Sequence, residues 1–318
     1  MKQRPINRRG ICLMEPKLNK RRKLLGRVSD SDMHLIRVFK TVAECGGFSA
    51  SQSELGVGRS TISRQISHLE TRLGFKLCYR GRSGFKLTQH GEQALTYVNQ
   101  LLAAAEDFAE NIASINDDFV GKIDVAMIDS SFTDPNNPML SAIRAFRDLA
   151  PRVTINLAIL SPGEVERGVL DGSYHLGIVP AYRSLPELVY EDLYVEDVAL
   201  FAGPSHPLAR QLSDGAKLSF DDVLHHELVY RGYLEGERLA DIKEQFPRGP
   251  TVHQTEAVAT LVQAGAYLGF LPKHAADSDL LSILPEAFAY SSPITVVRKR
   301  TRKHSVVTRG FLDLLHKG

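Results

Sequence analysis

Residues 58–74, GRSTISRQISHLETRLG, place a set of hydrogen-bonding side chains on one face of a predicted helix. Six residues share that face by helical spacing: Arg59, Ser60, Thr61, Arg64, Gln65 and His68. The first three turns of the helix contain no carboxylate, so the face offers guanidinium, hydroxyl, amide and imidazole groups without negative charge. These groups are able to bind a polyanion, and a merely solvated helix face is the alternative.

An apolar stripe on the other side of this helix would hold it to a core. The stripe consists of Ile62, Ile66, Leu69 and Leu73, which recur every three or four residues. Upstream, the stretch from Ser29 predicts a first helix that ends at a Gly-Gly pair. Ser49 and Gln52 predict a capping box ahead of a short second helix, and Gly56-Val57-Gly58 forms the turn into the third. Two short helices joined by such a turn are the helix-turn-helix arrangement.

A β-hairpin is predicted directly after these helices. The short alternating segments FKLCYR and GFKL flank the Gly-rich residues 81–84. We interpret the hairpin as a wing that carries Arg80 and Arg82.

Charge is divided unevenly along the chain, although the net charge is only +2. Residues 1–92 hold 19 Lys and Arg against 7 Asp and Glu, whereas residues 93–318 hold 20 against 30. The N-terminal third is therefore expected to meet a polyanion, and the remainder is not. Within that third, residues 1–28 have the polarity and the clustered Lys and Arg of a disordered basic arm; a solvated tail is the alternative.

The cysteines and the hydropathy suggest a cytoplasmic protein. Cys12, Cys45 and Cys78 show no metal-binding spacing and cannot pair completely, which fits a reducing compartment. No apolar run approaches the roughly 18–20 residues needed to cross a bilayer, so no membrane association is expected. Walker-type loops, GxGxxG and HExxH are absent from the sequence, and we expect no cofactor and no metal.

A long helix is predicted from about Thr88 to Asn116, because apolar residues return at alternating spacings of three and four. The stripe consists of Leu95, Val98, Leu102, Ala105, Ala109 and Ile112, and it is widened by Leu101, Phe108 and Ile115. So broad an apolar face suggests a helix–helix dimer contact, and packing onto its own domain is the alternative.

From Gly121 onward, strand patterns alternate with helix patterns. The predicted strands are KIDVAMI, VTINLAIL, HLGIV, DVALFAG, ELVYR, YLGFLP and ITVVRKR. The predicted helices between them are residues 138–149, 163–171, 238–246 and 256–265. This alternation indicates α/β units with mainly parallel sheets.

These motifs together carry a family resemblance. The N-terminal segment resembles the winged helix-turn-helix of LysR-type transcriptional regulators in SRQISHLETRLG, in Leu77 and Arg80 at the start of the wing, and in Leu87-Thr88 followed by Gly91-Glu92. The remainder is similar to the effector domain of that family in AFRDLAPRVTINL, VLDGSYHLGIV, GPSHPLA, AVATLVQAGAYLGFLP and GFLDLLHKG.

The resemblance implies a multidomain chain: a winged helix-turn-helix over residues 29–87, a linker and dimerisation helix over 88–119, and an effector domain over 120–318. The effector domain would be an α/β fold like the periplasmic binding proteins, with two subdomains around a cleft. Two crossing strands would divide it into residues 121–198 with 297–318 and residues 199–296. The resemblance also implies a homodimer through the linker helix, usually a homotetramer, that controls promoters on double-stranded DNA in response to a small molecule.

The sequence departs from the pattern usual in the family at three places. Ser51-Gln52 replaces a pair of alanines in the second helix, Gly58-Arg59-Ser60 replaces Ser-Gln-Pro at the start of the third, and Cys78 replaces a wing phenylalanine. Because Arg59 stands where relatives usually carry glutamine, the preferred DNA sequence cannot be carried over from them.

The helix-turn-helix geometry assigns expected roles to the polar face. Arg59 is able to bind guanine in bidentate fashion, Gln65 is able to read adenine, and Ser60 or Thr61 serves bases or phosphates. Arg64 and His68 lie further along the helix, where phosphate is the expected partner, and Arg80 and Arg82 would meet phosphate or the minor groove.

Effector contacts are expected where loops lead into helix N-termini, which favour anionic groups. The candidates are Ser130, Ser131, Ser161, Gln254 and Thr255, with Phe132, Leu160 and Tyr182 as apolar walls. Ordinary helix capping is the alternative for each hydroxyl. A carboxylate or an aromatic acid is the expected kind of effector.

Other classes of protein fit the sequence less well. An enzyme would leave the basic N-terminal third unexplained, and a solute-binding protein of the transport type would need an export signal. A DNA-binding structural protein without a ligand remains an alternative if the cleft is vestigial.

Overall fold

The computed structural model describes residues 27–81, 84–115, 119–232 and 237–317. The chain divides between Val98 and Asn99 into two compact units, which are described separately below. Most of the predicted basic arm, residues 1–26, lies outside the described residues.

The N-terminal unit consists of helices followed by a two-stranded hairpin. Its elements are α1 (Asp30–Glu44), α2 (Gln52–Leu55), α3 (Arg59–Leu73), β1 (Cys78–Gly81), β2 (Gly84–Leu87) and the start of α4 (Gln89–Ser114). The two strands are antiparallel, with Cys78 opposite Leu87 and Gly81 opposite Gly84. The predicted helix-turn-helix and hairpin are therefore both present.

A buried carboxylate joins the start of α1 to the end of α3. Asp32 accepts hydrogen bonds from the backbone N–H and the hydroxyl of Ser29, which close a capping box. The Arg72 guanidinium also donates to Asp32, at 2.7 Å. The hydrogen bonds from Ser29 and the nearby positive charge of Arg72 hold the pKa of Asp32 below its usual range. These bonds join α1 to α3 and so fix the angle between the two helices.

The predicted capping box of Ser49 and Gln52 is wrong. The N-cap of α2 is Ser51, and its side chain makes no capping hydrogen bond. The Gln52 amide instead donates to the Ser49 carbonyl at 3.2 Å, and its Oε1 accepts the N–H of Arg59 at 3.0 Å. Because Gly58 has no side chain to cap α3, Gln52 reaches across the turn and satisfies one of its free N–H groups.

The hairpin is held to the helices by buried polar contacts. Glu70, only 4% exposed, accepts the N–H of Leu77 at 3.0 Å and the Lys76 ammonium at 2.8 Å. Thr88 accepts the N–H of Gly91 at 2.9 Å at the start of α4. A Cβ on Gly91 would lie 1.9 Å from the carbonyl oxygen of Leu77, the residue before β1. Only glycine therefore allows α4 to pass so close to this segment.

The second unit contains the rest of α4 and an α/β fold. Its further elements are β3 (Val120–Met127), α5 (Met139–Leu149), β4 (Arg152–Ile159), α6 (Pro162–Asp171), β5 (Leu176–Pro180), β6 (Leu188–Ala202), α7 (Pro207–Ser213), α8 (Phe220–Leu224), β7 (Leu228–Arg231), α9 (Glu237–Lys243), β8 (Arg248–Val252), α10 (Thr255–Gln263), β9 (Leu268–Pro272), β10 (Leu281–Ser282), α11 (Pro285–Phe288), β11 (Tyr290–Lys299) and α12 (Val306–Leu315). Short 3-10 helices cover Ser131–Thr133 and Lys273–Ala275.

Two crossing strands join two α/β subdomains. The strand order is β4-β3-β5-β11-β6-β9-β7-β8, with β10 also paired to β6. β3, β4 and β5 are parallel to one another, as are β7, β8 and β9, whereas β6 and β11 run antiparallel to each other and to their outer neighbours. One subdomain is built on β3–β5 and the other on β7–β9.

The pairing of β11 moves one predicted subdomain boundary. Ile294 to Val297 pair with β5, so they belong to the first subdomain. The sequence predicted that the return of the chain to the first subdomain begins at residue 297. The pattern ITVVRKR marks where β11 becomes buried, but it does not show which neighbour the strand pairs with. The first subdomain has its own core around Phe146 and Phe311, whose rings meet edge to face at 5.2 Å.

Candidate DNA-binding and effector sites

The polar face of α3 lies in the N-terminal unit opposite its buried stripe. Ile62, Ile66 and Leu69 are at most 1% exposed, which confirms the predicted core side of this helix. Among the six predicted contact residues, four are exposed, namely Arg59, Ser60, Arg64 and His68, and Thr61 is half-buried. Gly58 is the N-cap, and α3 begins at Arg59.

Gln65 is oriented differently from its five neighbours in the predicted set. Its Nε2 lies 2.9 Å from Nε2 of His34 on α1, and its Oε1 is buried without a hydrogen-bond partner. The position of Gln65 around the axis of α3 explains this orientation. Gln65 falls between the exposed face and the buried stripe, so its side chain lies against α1. The amide is consequently engaged within the protein.

Arg59, at the start of α3, also lies beside the hairpin, which the sequence pattern did not predict. It lines a surface depression together with Ser63, one turn along the helix, and with Tyr79 of β1 and Gly84 of β2. Tyr79 is 62% exposed. Ser63 and Tyr79 are therefore candidate contact residues that sequence reasoning missed, although the spacing of four from Arg59 to Ser63 was a usable signal.

The two wing arginines are only partly described. Arg80 lies in β1, where it pairs with Phe85 of β2. Arg82 lies outside the described residues.

A cavity of about 630 Å³ opens in the cleft between the two subdomains of the second unit. Its lining is Asp129, Ile159, Leu160, Ser161, Pro162, Glu164, Arg167, Gly232, His253 and Gln254. The cavity is large enough for a small-molecule ligand. Gly232 lies against the His253 ring, where a Cβ would be 2.2 Å from the imidazole, so this glycine lets the ring reach the wall.

Asp129 closes the cleft at the N-terminus of α10. Its carboxylate accepts the backbone N–H of Thr255 at 2.5 Å and the Thr255 hydroxyl at 3.1 Å. Beside it, the Ser130 hydroxyl donates to Glu256 at 3.2 Å. Both bonds join the first subdomain to the second, so they lie where a ligand could change the angle between subdomains.

A second carboxylate lies at the N-terminus of α6. Glu164 accepts the hydroxyl of Ser161 at 2.6 Å and its backbone N–H at 3.0 Å. These hydrogen bonds, with weaker attraction from Arg167 and His253, hold the pKa of Glu164 below its usual range. The cavity wall is therefore charged at neutral pH.

The structure separates the eight predicted effector residues. Leu160, Ser161 and Gln254 line the large cavity. Tyr182 and Thr255 line a neighbouring space of about 30 Å³, which also touches Asp129 and holds about one or two waters. Ser130 makes the bond across the cleft described above.

Ser131 and Phe132 line neither cavity, so the structure does not bring them together with the other predicted contact residues. Ser130 has a positive φ of 58°, and the chain turns there into a 3-10 helix. This turn buries Ser131, whose hydroxyl donates to the Ile128 carbonyl at 3.1 Å, and leaves Phe132 on the surface at 69% exposure. At the N-terminus of α5, where an effector contact was expected, the N–H of Met139 donates to the Asn137 side chain at 3.0 Å.

Two models of known protein families match the chain. Residues 33–92 match the bacterial regulatory helix-turn-helix protein of the lysR family, and residues 117–318 match the LysR substrate binding domain. The second match alone covers more than half of the chain. This chain belongs to the LysR family of transcriptional regulators. It is a DNA-binding regulator with an effector-binding domain, and the family consists of regulators and not of enzymes.

Two relatives agree with this assignment, and a solved structure has the same fold. The chain is 36% identical over 294 residues to the HTH-type transcriptional activator BauR of Pseudomonas aeruginosa, a match covering 91% of this chain and 96% of that protein. It is 26% identical over 268 residues to the probable HTH-type transcriptional regulator LrrA of Synechococcus elongatus, with coverages of 83% and 87%. Full-length CbnR complexed with its target DNA has the same fold, with a TM-score of 0.60 and 22% identity over 90% of this chain and 99% of that one.

A histidine lies between two carboxylates where the crossing strand β6 of this LysR-type effector domain meets both subdomains. His274 Nε2 is 3.1 Å from Glu196 and 3.4 Å from Asp134, and its Nδ1 is 2.8 Å from the Thr133 hydroxyl. Burial raises the pKa of Glu196. Each of the three side chains has a possible ligand atom within 4.8 Å of the other two, but the imidazole Nε2 is already hydrogen-bonded to Glu196. The cluster ties the crossing strand β6 to both subdomains.

Linker helix α4 turns an apolar face outward. Tyr97, Phe108 and Ile115 are 71%, 68% and 75% exposed, and Leu101 and Ile112 are 38% and 48% exposed. The face buried within the second unit carries the apolar Leu102 and Ala103 together with polar residues, of which Asp107 accepts from Arg302 at 2.8 and 2.9 Å. Within the described residues, no helix combines the length and the apolar character that a bilayer crossing requires.

Proposed function

We propose that α3 enters the major groove of promoter DNA and that Arg59, Ser60, Thr61, Arg64 and His68 contact it. The observation that carries this proposal is the exposure of the polar face while the apolar stripe is buried. An exposed guanidinium at the first residue of the helix is positioned to reach base edges, where Arg recognises guanine. Arg64 and His68 lie further along and meet phosphate.

Gln65 has a different part in this proposal from the one the sequence suggested. Because its amide bonds to His34, reading adenine would first require breaking that bond. Ser63 and Tyr79, which flank Arg59, are added as contact residues, and Arg80 and Arg82 remain proposed phosphate or minor-groove contacts of the wing.

The DNA site is tested by titrating labelled operator DNA with wild type and with Arg59→Ala and Arg64→Ala. Arg59→Ala is expected to lose about 1–3 kcal/mol on the operator and to relax preference at one base position. Arg64→Ala is expected to weaken binding to all sequences alike and to flatten the salt dependence. Arg210→Ala, in the second unit, is the matched control. Equal operator affinity for wild type and both α3 variants would refute the assignment.

We infer that the large cavity of the effector domain binds the small molecule to which the regulator responds. Its position supports this, because the cavity touches Asp129, whose bonds to Thr255 join the two subdomains. Ser161 and Gln254 are the proposed contacts, with Tyr182 and Thr255 in the adjoining space. A ligand that binds more tightly at one angle between the subdomains shifts the population of the protein toward that angle.

The expected ligand carries a carboxylate, with aromatic acids as one class. Arg167 and His253 on the wall would hold the carboxylate, and Ile159 and Leu160 would contact its apolar part. Thermal unfolding of the full chain in the presence of carboxylates, aromatic acids and amino acids tests this. At least one compound is expected to raise the melting temperature, and a Gln254→Ala variant should reduce that shift. If no compound shifts it, the alternative of a vestigial cleft is favoured.

We further propose that the chain forms a homodimer through α4 and, as is usual in the family, a homotetramer. The exposed apolar face of α4 supports the dimer. The proposed organisation keeps a basic arm over residues 1–28, the winged helix-turn-helix over 29–87, the linker over 88–119 and the effector domain from 120. Bacterial promoter DNA as the partner implies the cytoplasm as the place of action.

A further inference from the structure

Two helix N-termini lie at the effector cavity, and they distinguish it from a simple pocket for an anion. Helix N-termini attract anions because their first N–H groups have no partner within the helix. Both α6 and α10 begin at this cavity, with Ser161 and Gln254 as their N-caps on its wall. A ligand with only a carboxylate would be expected to bind at one of these ends.

Both ends are already occupied by carboxylates of the chain. Asp129 accepts the N–H and the hydroxyl of Thr255 at α10, and Glu164 accepts the N–H and the hydroxyl of Ser161 at α6. Asp129 and Glu164 both line the cavity. A carboxylate with two oxygens has about four lone-pair sites, so each of these groups can accept further hydrogen bonds from a ligand.

The same cavity also contains two basic side chains. Arg167 lies one turn after Glu164 on α6, and His253 precedes the N-cap of α10. Among the described lining residues, the acidic groups are therefore Asp129 and Glu164, and the basic groups are Arg167 and His253.

These charges favour one kind of ligand. A compound with only a carboxylate would bring a third negative group beside Asp129 and Glu164, and a compound with only an amine would leave Arg167 without a new partner. A compound with both groups can pair each with its opposite, and an ammonium supplies three donors for a carboxylate and nearby oxygens.

We infer that the effector is a small zwitterion whose ammonium group binds at Asp129 and whose carboxylate binds at Arg167 and His253. The inference rests on the proposed function of the cavity, and it narrows the effector from carboxylates in general to amino acids. It also gives Asp129 a second partner: a bound ammonium shares the Asp129 carboxylate with Thr255. Binding of the effector is thereby linked to the contact that joins the subdomains.

The test uses matched sets of three compounds with the full-length protein. Each set contains an amino acid, the carboxylic acid that lacks its amino group, and the amine that lacks its carboxylate. The sets cover α- and ω-amino acids of three to six carbons. Thermal unfolding screens all sets, and isothermal titration calorimetry gives the dissociation constants of compounds that raise the melting temperature.

At least one amino acid is expected to bind, at least tenfold more tightly than both its acid and its amine. If an acid binds as tightly as its amino acid, the inference is overturned while the proposed effector function stands. If an amine or an aromatic acid binds and no amino acid does, the inference is likewise overturned. If nothing in these sets or among the other carboxylates binds, both the inference and the proposed function of the cavity fail.

A pair of variants locates the ammonium site. Asp129→Asn keeps an oxygen that can accept the Thr255 N–H but removes the charge, so affinity for the amino acid should fall at least tenfold while affinity for its acid does not. Asp197→Asn, at a carboxylate that lines neither cavity, is the control and should leave both affinities unchanged. An unchanged amino-acid affinity in Asp129→Asn would remove Asp129 from the site.

Discussion

Phe108→Ala on the apolar face of α4 is expected to weaken the proposed dimer. The Phe108 side chain is 68% exposed in the single chain, so contact with a second copy can cover about two thirds of it. Complete burial of such a side chain contributes about 1.5–3 kcal/mol, which gives about 1–2 kcal/mol for this fraction. A symmetric dimer contains two copies of the residue, so the loss is about 2–4 kcal/mol, or roughly a 30- to 700-fold rise in the dimer dissociation constant.

Sedimentation velocity over a dilution series measures that constant directly. Phe132→Ala is a matched control, because Phe132 is 69% exposed but lies on the effector domain away from α4. The control should sediment as wild type at every concentration, and the Phe108 variant should dissociate at much higher concentrations. If both variants keep the wild-type association, or if Phe132→Ala has the larger effect, the dimer contact does not use this face of α4.

Two further predictions concern the folding of each unit. Gly91→Ala should destabilise the N-terminal unit by about 1–3 kcal/mol in urea unfolding, because the alanine Cβ would lie 1.9 Å from the Leu77 carbonyl oxygen. A stability equal to that of wild type would show that the hairpin shifts freely. Burial, with repulsion from Arg302, lowers the pKa of His175 to about 4, so the folded state stays neutral there while the unfolded state binds a proton below about pH 6.5. The free energy of unfolding should thus fall by about 2 kcal/mol from this residue between pH 7 and pH 5, and a His175→Asn variant with the same pH slope as wild type would contradict that.

The N-terminal unit was largely predictable from the sequence, because its signals are local. The spacing of Ile62, Ile66 and Leu69 defines the buried side of α3 whatever surrounds it. The side chains at the edges of that pattern were not predictable in the same way. Gln65 meets His34 only because α1 packs alongside, and Gln52 caps α3 only because the turn brings the two helices together.

The crossing strand β6 shows where the sequence signal failed in the effector domain. The sequence predicted a strand only from residue 197, whereas β6 begins at Leu188. Glu191 and Glu196 lie in its first two thirds, and acidic residues are rare in strands; both bond to partners that are distant in the sequence. Glu191 bonds to Arg298 at 2.5 Å, and Glu196 to His274 at 3.1 Å.

Part of the effector cavity was predictable, because Ser161 and Gln254 precede helices whose periodicity is clear. The acidic members of its lining were missed, since helix N-termini suggested an anionic ligand. Only the fold brings Asp129 from the end of β3 to the start of α10, 126 positions away in the sequence. The kind of ligand therefore depends on a contact between subdomains that no local pattern reveals.

Footprinting of genomic DNA bound by the purified full-length chain tests most directly that α3 of this LysR-family regulator recognises particular promoters. A small number of protected sites is expected, each located upstream of a gene, with the same base preference shared among them. Arg59→Ala should lose that protection while the Phe132→Ala control retains it. Protection spread evenly over the genome, or sites that are identical for wild type and Arg59→Ala, would contradict sequence recognition by this face of α3.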